Sequence, residues 1–290
     1  MPKVSIVLPC YNGASLLSEA LDSCINQTFN DWELIIINDC STDNTLEIAE
    51  SYAKKDSRIF VYTNENNSKL PASLNNGFRK ATGEYWTWTS DDNILHPNML
   101  ETMVKYLDEH EDIGLVVSDS YIIDINGDTI AEHVVPNDLQ NKMMLNNYVG
   151  ASFMYRSEIA QIVGEYREDL FLVEDYEYFL RMSFHCNFAH IPQFLYYYRD
   201  NPNSLTATRQ KEIQDRLVQM RIMYLDKAEH VLATKKEQLK LIYYRIVDNL
   251  SGTSKIKYYF RFAKKLPLNF GLKYIIVHIP MKYLKKWIVK

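Results

Sequence analysis

Four short apolar runs, at 4–8, 32–37, 59–63 and 85–89, are separated by stretches in which apolar residues recur at helical spacing. Leu16, Leu17, Ala20, Leu21 and Cys24 follow the first run, and Leu46, Ala49 and Ala53 follow the second. Ser41, Thr42 and Asp43 offer cap oxygens ahead of that second helix. A third helix is expected over about 71–82, with Pro71 in its first turn, and a fourth from near Pro97. Repeated strand–helix units of this length predict an α/β domain built on a mainly parallel sheet, with right-handed crossovers and helices on both faces.

Three of the runs end in polar residues: Pro9-Cys10-Tyr11-Asn12, Asn38-Asp39 and Ser90-Asp91-Asp92-Asn93. In a parallel sheet those ends share one edge, and ligands bind in the crevice outside it. Adjacent carboxylates there suit Mg²⁺ or Mn²⁺ bridging a diphosphate. Taken alone, Asp91-Asp92 is equally well read as a solvated turn. No G-x-G-x-x-G follows the first strand and no G-x-x-x-x-G-K-[ST] occurs, which disfavours dinucleotide and P-loop nucleotide binding.

A chain of 290 residues that is 47% apolar can form one large domain or one domain with an appendage. Cys10, Cys24, Cys40 and Cys186 are far apart without a C-x-x-C and read as reduced packing residues. The apolar run before Pro9 is too brief for a signal peptide, and no stretch approaches the roughly 18 apolar residues of a membrane span, so a cytoplasmic chain is expected. The net charge of −5 conceals an asymmetry. No acid follows Asp248, whereas 251–290 hold ten bases, leaving 22 bases against 37 acids, or −15, in the first 250 residues.

The segments VSIVLPCYNG (4–13), IIINDCSTDNT (35–45), LNNGFRKATGEYW (74–86), TSDDN (89–93), FLVEDYEYFLRM (171–182) and YYYRDNPNS (196–204) resemble, in order, the motifs of the family 2 glycosyltransferases. The resemblance covers about 4–205 and implies the GT-A fold for a catalytic domain over 1–205. Residues 206–290 then form a helical, C-terminally basic region that associates with a membrane or a partner.

The resemblance also implies roles. Asp39 matches the acid that pairs with the nucleotide base, usually uracil, and a carboxylate suits the imide N–H of uracil. Pro9 and Tyr11 match positions flanking the base. Asp91 falls near the ribose and Asp92 on a divalent cation, Mn²⁺ or Mg²⁺, although Ser90 replaces the first acid of the commoner pattern. Asp175 matches the base that accepts the acceptor's proton during transfer with inversion, with Glu174 its neighbour. Without the family match, the two acids would be read as favouring a helix N-terminus. Arg199 matches a diphosphate contact, and Asn201 stands where some relatives carry a histidine, which weakens the expectation of metal use.

The tail mixes its bases with Phe262, Tyr274, Ile275 and Trp287, as interfacial helices on an anionic membrane do. A partner enzyme's surface is the next reading, and nucleic acid is disfavoured by the acidic body. The expected activity is inverting transfer from a nucleotide sugar, most simply a UDP-sugar, to a growing, lipid-linked surface glycan at the inner face of the cell membrane. The alternatives are a sugar nucleotidyltransferase, disfavoured by the missing basic triphosphate loop, and a catalytically silent glycan- or nucleotide-binding scaffold.

Overall fold

The computed structural model describes residues 1–232 and 234–250, together with Ser254, Lys255, Lys257, Tyr258 and Arg261. The membrane-binding expectation for the tail falls almost wholly outside the described residues. The chain divides into two compact units, Met1–Thr208 and Arg209–Lys290.

The first unit begins with the alternation the sequence predicts: β1 (Val4–Cys10), α1 (Leu17–Ile25), β2 (Trp32–Asn38), α2 (Thr45–Ala53), β3 (Ile59–Thr63), α3 (Lys69–Phe78) and β4 (Tyr85–Trp88). It continues with β5 (Ile94–Leu95), α4 (Met99–Glu109), β6 (Ile113–Ile123), β7 (Thr129–His133), α5 (Leu139–Lys142), β8 (Phe153–Arg156), α6 (Ser157–Val163), α7 (Glu174–Met182), β9 (Asn187–Arg199) and α8 (Leu205–Thr208). One sheet runs β3-β2-β1-β4-β8-β6-β9-β5, with β7 added on β6. β1 pairs in parallel with β2 and β4, and β2 with β3.

Beyond β4 the sheet is more mixed than the sequence suggested. β8 is antiparallel to both β4 and β6, while β9 is parallel to β6. Two reversals restore direction, so β9 ends at the same edge as β1, β2 and β4. The even-numbered residues of β1 face a core with Leu17, Leu21, Leu100 and Met103, whereas α3 covers the other face. There Gly77 is needed, because a Cβ would come within 2.4 Å of Val7 Cγ1.

Helix α3 starts earlier and stops earlier than expected. Lys69 adopts a left-handed φ of 71° at its first position. At the other end, buried Glu33 captures the Thr82 N–H at 2.7 Å and its hydroxyl at 2.9 Å, drawing the chain back toward the sheet before the helical pattern ends.

The second unit contains α9 (Gln210–Met223), α10 (Leu225–Val231) and α11 (Lys236–Val247), which bury Leu225, Leu239, Ile242 and Ile246. The Tyr243 hydroxyl and Arg261 both donate to Glu229.

Candidate active site

Pro9 lies where β1 parts from β4. The last β1–β4 backbone bond runs from Thr89 N to Val7 O at 3.0 Å, and on the other side Asp39 N still donates to Cys10 O at 2.8 Å. Residue 9 points its backbone toward the departed strand, so proline's missing N–H costs no ladder bond. The crevice opens there, with half-exposed Tyr11 at its mouth.

Short polar side chains staple the loops after β1 and β2. Asn12 N donates to Ser41 Oγ at 3.0 Å, Gly13 N to Thr45 Oγ1 at 2.9 Å, and Thr42 N to Asn12 Oδ1 at 2.8 Å. Asp43, expected as a cap, does accept from Thr45 N at 3.1 Å, yet it also accepts from Ala14 N at 3.2 Å. Both loops use left-handed residues, Asn12 at φ 54° and Cys40 at φ 62°.

Asp39 is buried at the end of β2. Its Oδ1 accepts from Asn64 Nδ2 at 2.8 Å and Ser68 N at 2.7 Å, and its Oδ2 from Lys69 N at 2.9 Å. A carboxylate has about four acceptor sites, so Oδ2 keeps one for a ligand N–H. Across the crevice, burial and then the charge of Asp92 push the Asp91 carboxyl up to about 7, against a backbone hydrogen bond from Tyr11.

Asp92 is raised by burial as well, a shift opposed by Asn201, whose Nδ2 donates to Oδ2 at 3.1 Å. The Asn203 N–H donates to Asn201 Oδ1 at 2.9 Å, which fixes the amide with its donor toward Asp92. Asn201 therefore supports the carboxylate and presents no oxygen to a metal. No group of three or more His, Cys, Asp or Glu residues is arranged to hold a metal among the described residues. The donor set still fits a divalent cation bound mainly through its ligand: adjacent Asp91 and Asp92 are both destabilised as anions, which a cation would relieve.

Arg199 does not reach into the crevice. It is 2% exposed, and its guanidinium clamps the surrounding loops. Nε donates to Asp92 O at 2.8 Å, Nη1 to Asp124 O at 3.1 Å and Ile125 O at 3.0 Å, and Nη2 to Glu19. Its backbone N donates to Asn93 Oδ1 at 2.8 Å. The guanidinium expected at the diphosphate is engaged by protein groups at all three nitrogens, among them the Asp92 carbonyl.

Glu174 and Asp175 open α7, which Val173 separates from Leu172 at a left-handed φ of 80°. Glu174 is 3% exposed and its Oε2 has no partner among the described residues. Burial, then the neighbouring Asp175 charge, lifts it well above the ordinary carboxylic range. Burial raises Asp175 too, while the Tyr176 N–H, at 2.6 Å from Oδ1, and the Asn147 amide, at 3.0 Å from Oδ2, hold it down. Burial raises the Tyr198 hydroxyl on β9, and the charges of Asp92 and Asp175 add to that shift. Asn147, Tyr198 and Glu19 were not singled out from sequence. A cavity of about 400 Å³ that includes Gly114 and Asn187 belongs to the opposite edge, where β6 and β9 begin.

The family model for glycosyl transferase family 2 matches residues 5–164, just short of the Glu174-Asp175 pair. An uncharacterised glycosyltransferase of Rickettsia typhi is 31% identical over 63% of this chain and 60% of its own length. The putative glycosyltransferase EpsE of Bacillus subtilis is 38% identical over 42% of this chain and 45% of its own. The matched part spans less than two thirds of these relatives. Among solved structures, S. aureus TarS in complex with UDP-GlcNAc matches with a TM-score of 0.66 at 18% identity, covering 91% of this chain and 82% of that one. A mannosyltransferase from Pyrobaculum calidifontis, in complex with GDP-Man and Mn2+, matches with a TM-score of 0.62 at 16% identity, covering 91% and 80%. The fold is that of the GT-A enzymes, and the chain belongs to glycosyl transferase family 2.

Proposed function

We propose that this enzyme transfers a sugar from a UDP-sugar to a hydroxyl of a growing, lipid-linked surface glycan, with inversion at the anomeric carbon. The observation that carries the reading is the grip on Asp175 at the start of α7: the Asn147 amide lies 3.0 Å from its Oδ2 and the Tyr176 N–H 2.6 Å from its Oδ1, whereas Glu174 Oε2 has no partner among the described residues. Asp39 offers its remaining acceptor site to the uracil imide N–H. The exposed ring of Tyr11 flanks the base, and Asp91 lies toward the ribose.

Asp175 takes the proton of the acceptor hydroxyl as that oxygen bonds to the anomeric carbon from the side opposite the leaving diphosphate. The bond from that carbon to the phosphate oxygen breaks, and UDP departs with the electron pair. Glu174, kept neutral by burial, leaves Asp175 as the ionised member. Asp92, oriented by Asn201, would hold the divalent cation. When bound, that ion neutralises charge on the leaving diphosphate.

Replacing Asp175 by Asn should lower transfer by at least about 10²-fold while UDP affinity is nearly kept. Near-normal transfer by that variant, or a product of retained configuration by NMR, sinks the mechanism. UDP should bind more tightly than ADP, and equal affinities would remove the role of Asp39. The neighbours were solved with UDP-GlcNAc or GDP-Man, so GDP belongs in the same titration, and GDP binding as tightly as UDP would remove the UDP-sugar donor.

The basic tail supports a peripheral location at the inner, anionic face of the cell membrane; no helix among the described residues is long and apolar enough to cross one. Charge reversal of Lys282, Lys285 and Lys286 should weaken binding to anionic vesicles at low salt. Failure of the full chain to bind such vesicles removes the membrane placement.

A further inference from the structure

Asn147 lies in the segment between β7 and β8, remote in sequence from every motif of the family. Its Nδ2 donates to Asp175 Oδ2 at 3.0 Å, and its Oδ1 accepts from Val149 N at 3.1 Å. A backbone N–H can only meet the amide oxygen, so the turn formed with Val149 presents the NH₂ group to Asp175. The Tyr176 N–H holds the other carboxylate oxygen at 2.6 Å. The carboxylate is thus held at both oxygens, and each oxygen keeps one acceptor site.

The segment carrying Asn147 is itself docked on α7. The Tyr176 hydroxyl donates to Met143 O at 2.7 Å, and the Gln140 amide donates to Cys186 O at 2.9 Å and Ser183 O at 3.3 Å beyond the helix. Gly150, at a left-handed φ of 67°, ends the segment before β8.

We propose that Asn147 is a positioning residue for the transfer reaction: its turn-locked amide aims the Asp175 carboxylate and favours its ionised form. The proposal rests on Asp175 being the base. The NH₂ group can only donate, and it bonds a carboxylate oxygen more strongly than the carbonyl oxygen of the neutral acid, so the bond favours the anion. Among the described residues, the Asp175 charge acts on Glu174 of its own helix, on Tyr166 before that helix and on Tyr198 of β9. Burial raises both tyrosines above their ordinary 10, so they stay neutral wherever a carboxyl titrates. Glu174 couples to the step, and the midpoint belongs to the pair.

The test follows the Asp175 carboxyl carbon by NMR in full-length protein labelled at aspartate side chains. Its signal is assigned by its loss in Asp175→Asn. In Asn147→Ala the midpoint should rise by about one pH unit or more, as expected for losing a hydrogen bond to a charged group. In Asn147→Asp, which keeps the bond from Val149, it should rise further because a second carboxyl faces the first. The shifts should persist with Glu174→Gln, where the coupled step is gone. Tyr176→Phe, which removes the bond to Met143 O but neither bond of the Asn147 side chain, should lower stability and leave the midpoint in place.

Hydrolysis of UDP-N-acetylglucosamine or UDP-glucose supplies the activity reading, with the acid limb moving up in step. An unmoved midpoint in both Asn147 variants overturns the proposal even if Asp175→Asn is inactive. Full activity in Asp175→Asn overturns the base assignment instead, whatever the midpoint does.

Discussion

A Cβ placed on Gly13 would lie 2.0 Å from Asp91 Oδ2. The loop after β1 and the loop after β4 are packed so closely that the Asp91 carboxyl rests against the Gly13 Cα. Gly13→Ala should therefore push Asp91 out of place, because the added methyl meets a carboxylate that is itself confined by burial. UDP affinity should fall by at least about tenfold, since misplacement of order 1 Å is costly at such sites. Stability should fall by about 1–3 kcal/mol, as for other overpacked sites. Calorimetric titration and urea unfolding measure the two effects, and unchanged UDP binding would show that Asp91 is not needed at the ribose.

The strands that frame this contact are legible because their apolar runs are short, β-rich and punctuated by Asn and Asp at the ends. The carboxylates are legible for the same reason, since strand ends in one parallel group share an edge. The interleaving of β8 between β4 and β6 is set by pairing between distant segments, which no local period encodes. Asn147 and Arg199 are invisible for a related reason: their partners Asp175 and Glu19 lie 28 and 180 residues away. The motif points Arg199 at a diphosphate, whereas the fold sets three carbonyls and Glu19 around its guanidinium.

Arg199→Met keeps much of the volume and removes the clamp. Asp92 O, Asp124 O and Ile125 O lose their donor, and unfolding free energy should drop by about 2–3 kcal/mol. A residue whose main task was to touch diphosphate would show the reverse pattern, with UDP affinity collapsing while the urea midpoint stayed put.

Asn201 presents an N–H to Asp92, so an imidazole there would exchange a supporting donor for a metal ligand. Asn201→His should tighten Mn²⁺ binding in saturating UDP by about tenfold, and Asn201→Ala should weaken it by losing the orientation of Asp92. Electron paramagnetic resonance of free Mn²⁺ reads both directly. Equal Mn²⁺ affinity across the three proteins would mean that Asp92 does not carry the ion.

Glu174 makes stability depend on pH in a definite direction. Its folded-state value lies above the ordinary 4.5, because burial and Asp175 both oppose its ionisation. The folded state consequently binds more protons than the unfolded state above pH 4.5, and stability must decrease as pH rises. The contribution is fully present below the unfolded value and is lost as pH climbs through the folded one. Glu174→Gln cannot ionise, so its advantage over the wild type should be small near pH 5 and grow toward pH 8, measured by urea unfolding at each pH. Parallel pH profiles for the two proteins would require Glu174 to ionise in the fold at no cost. That outcome would contradict a carboxyl 3% exposed whose Oε2 has no partner among the described residues.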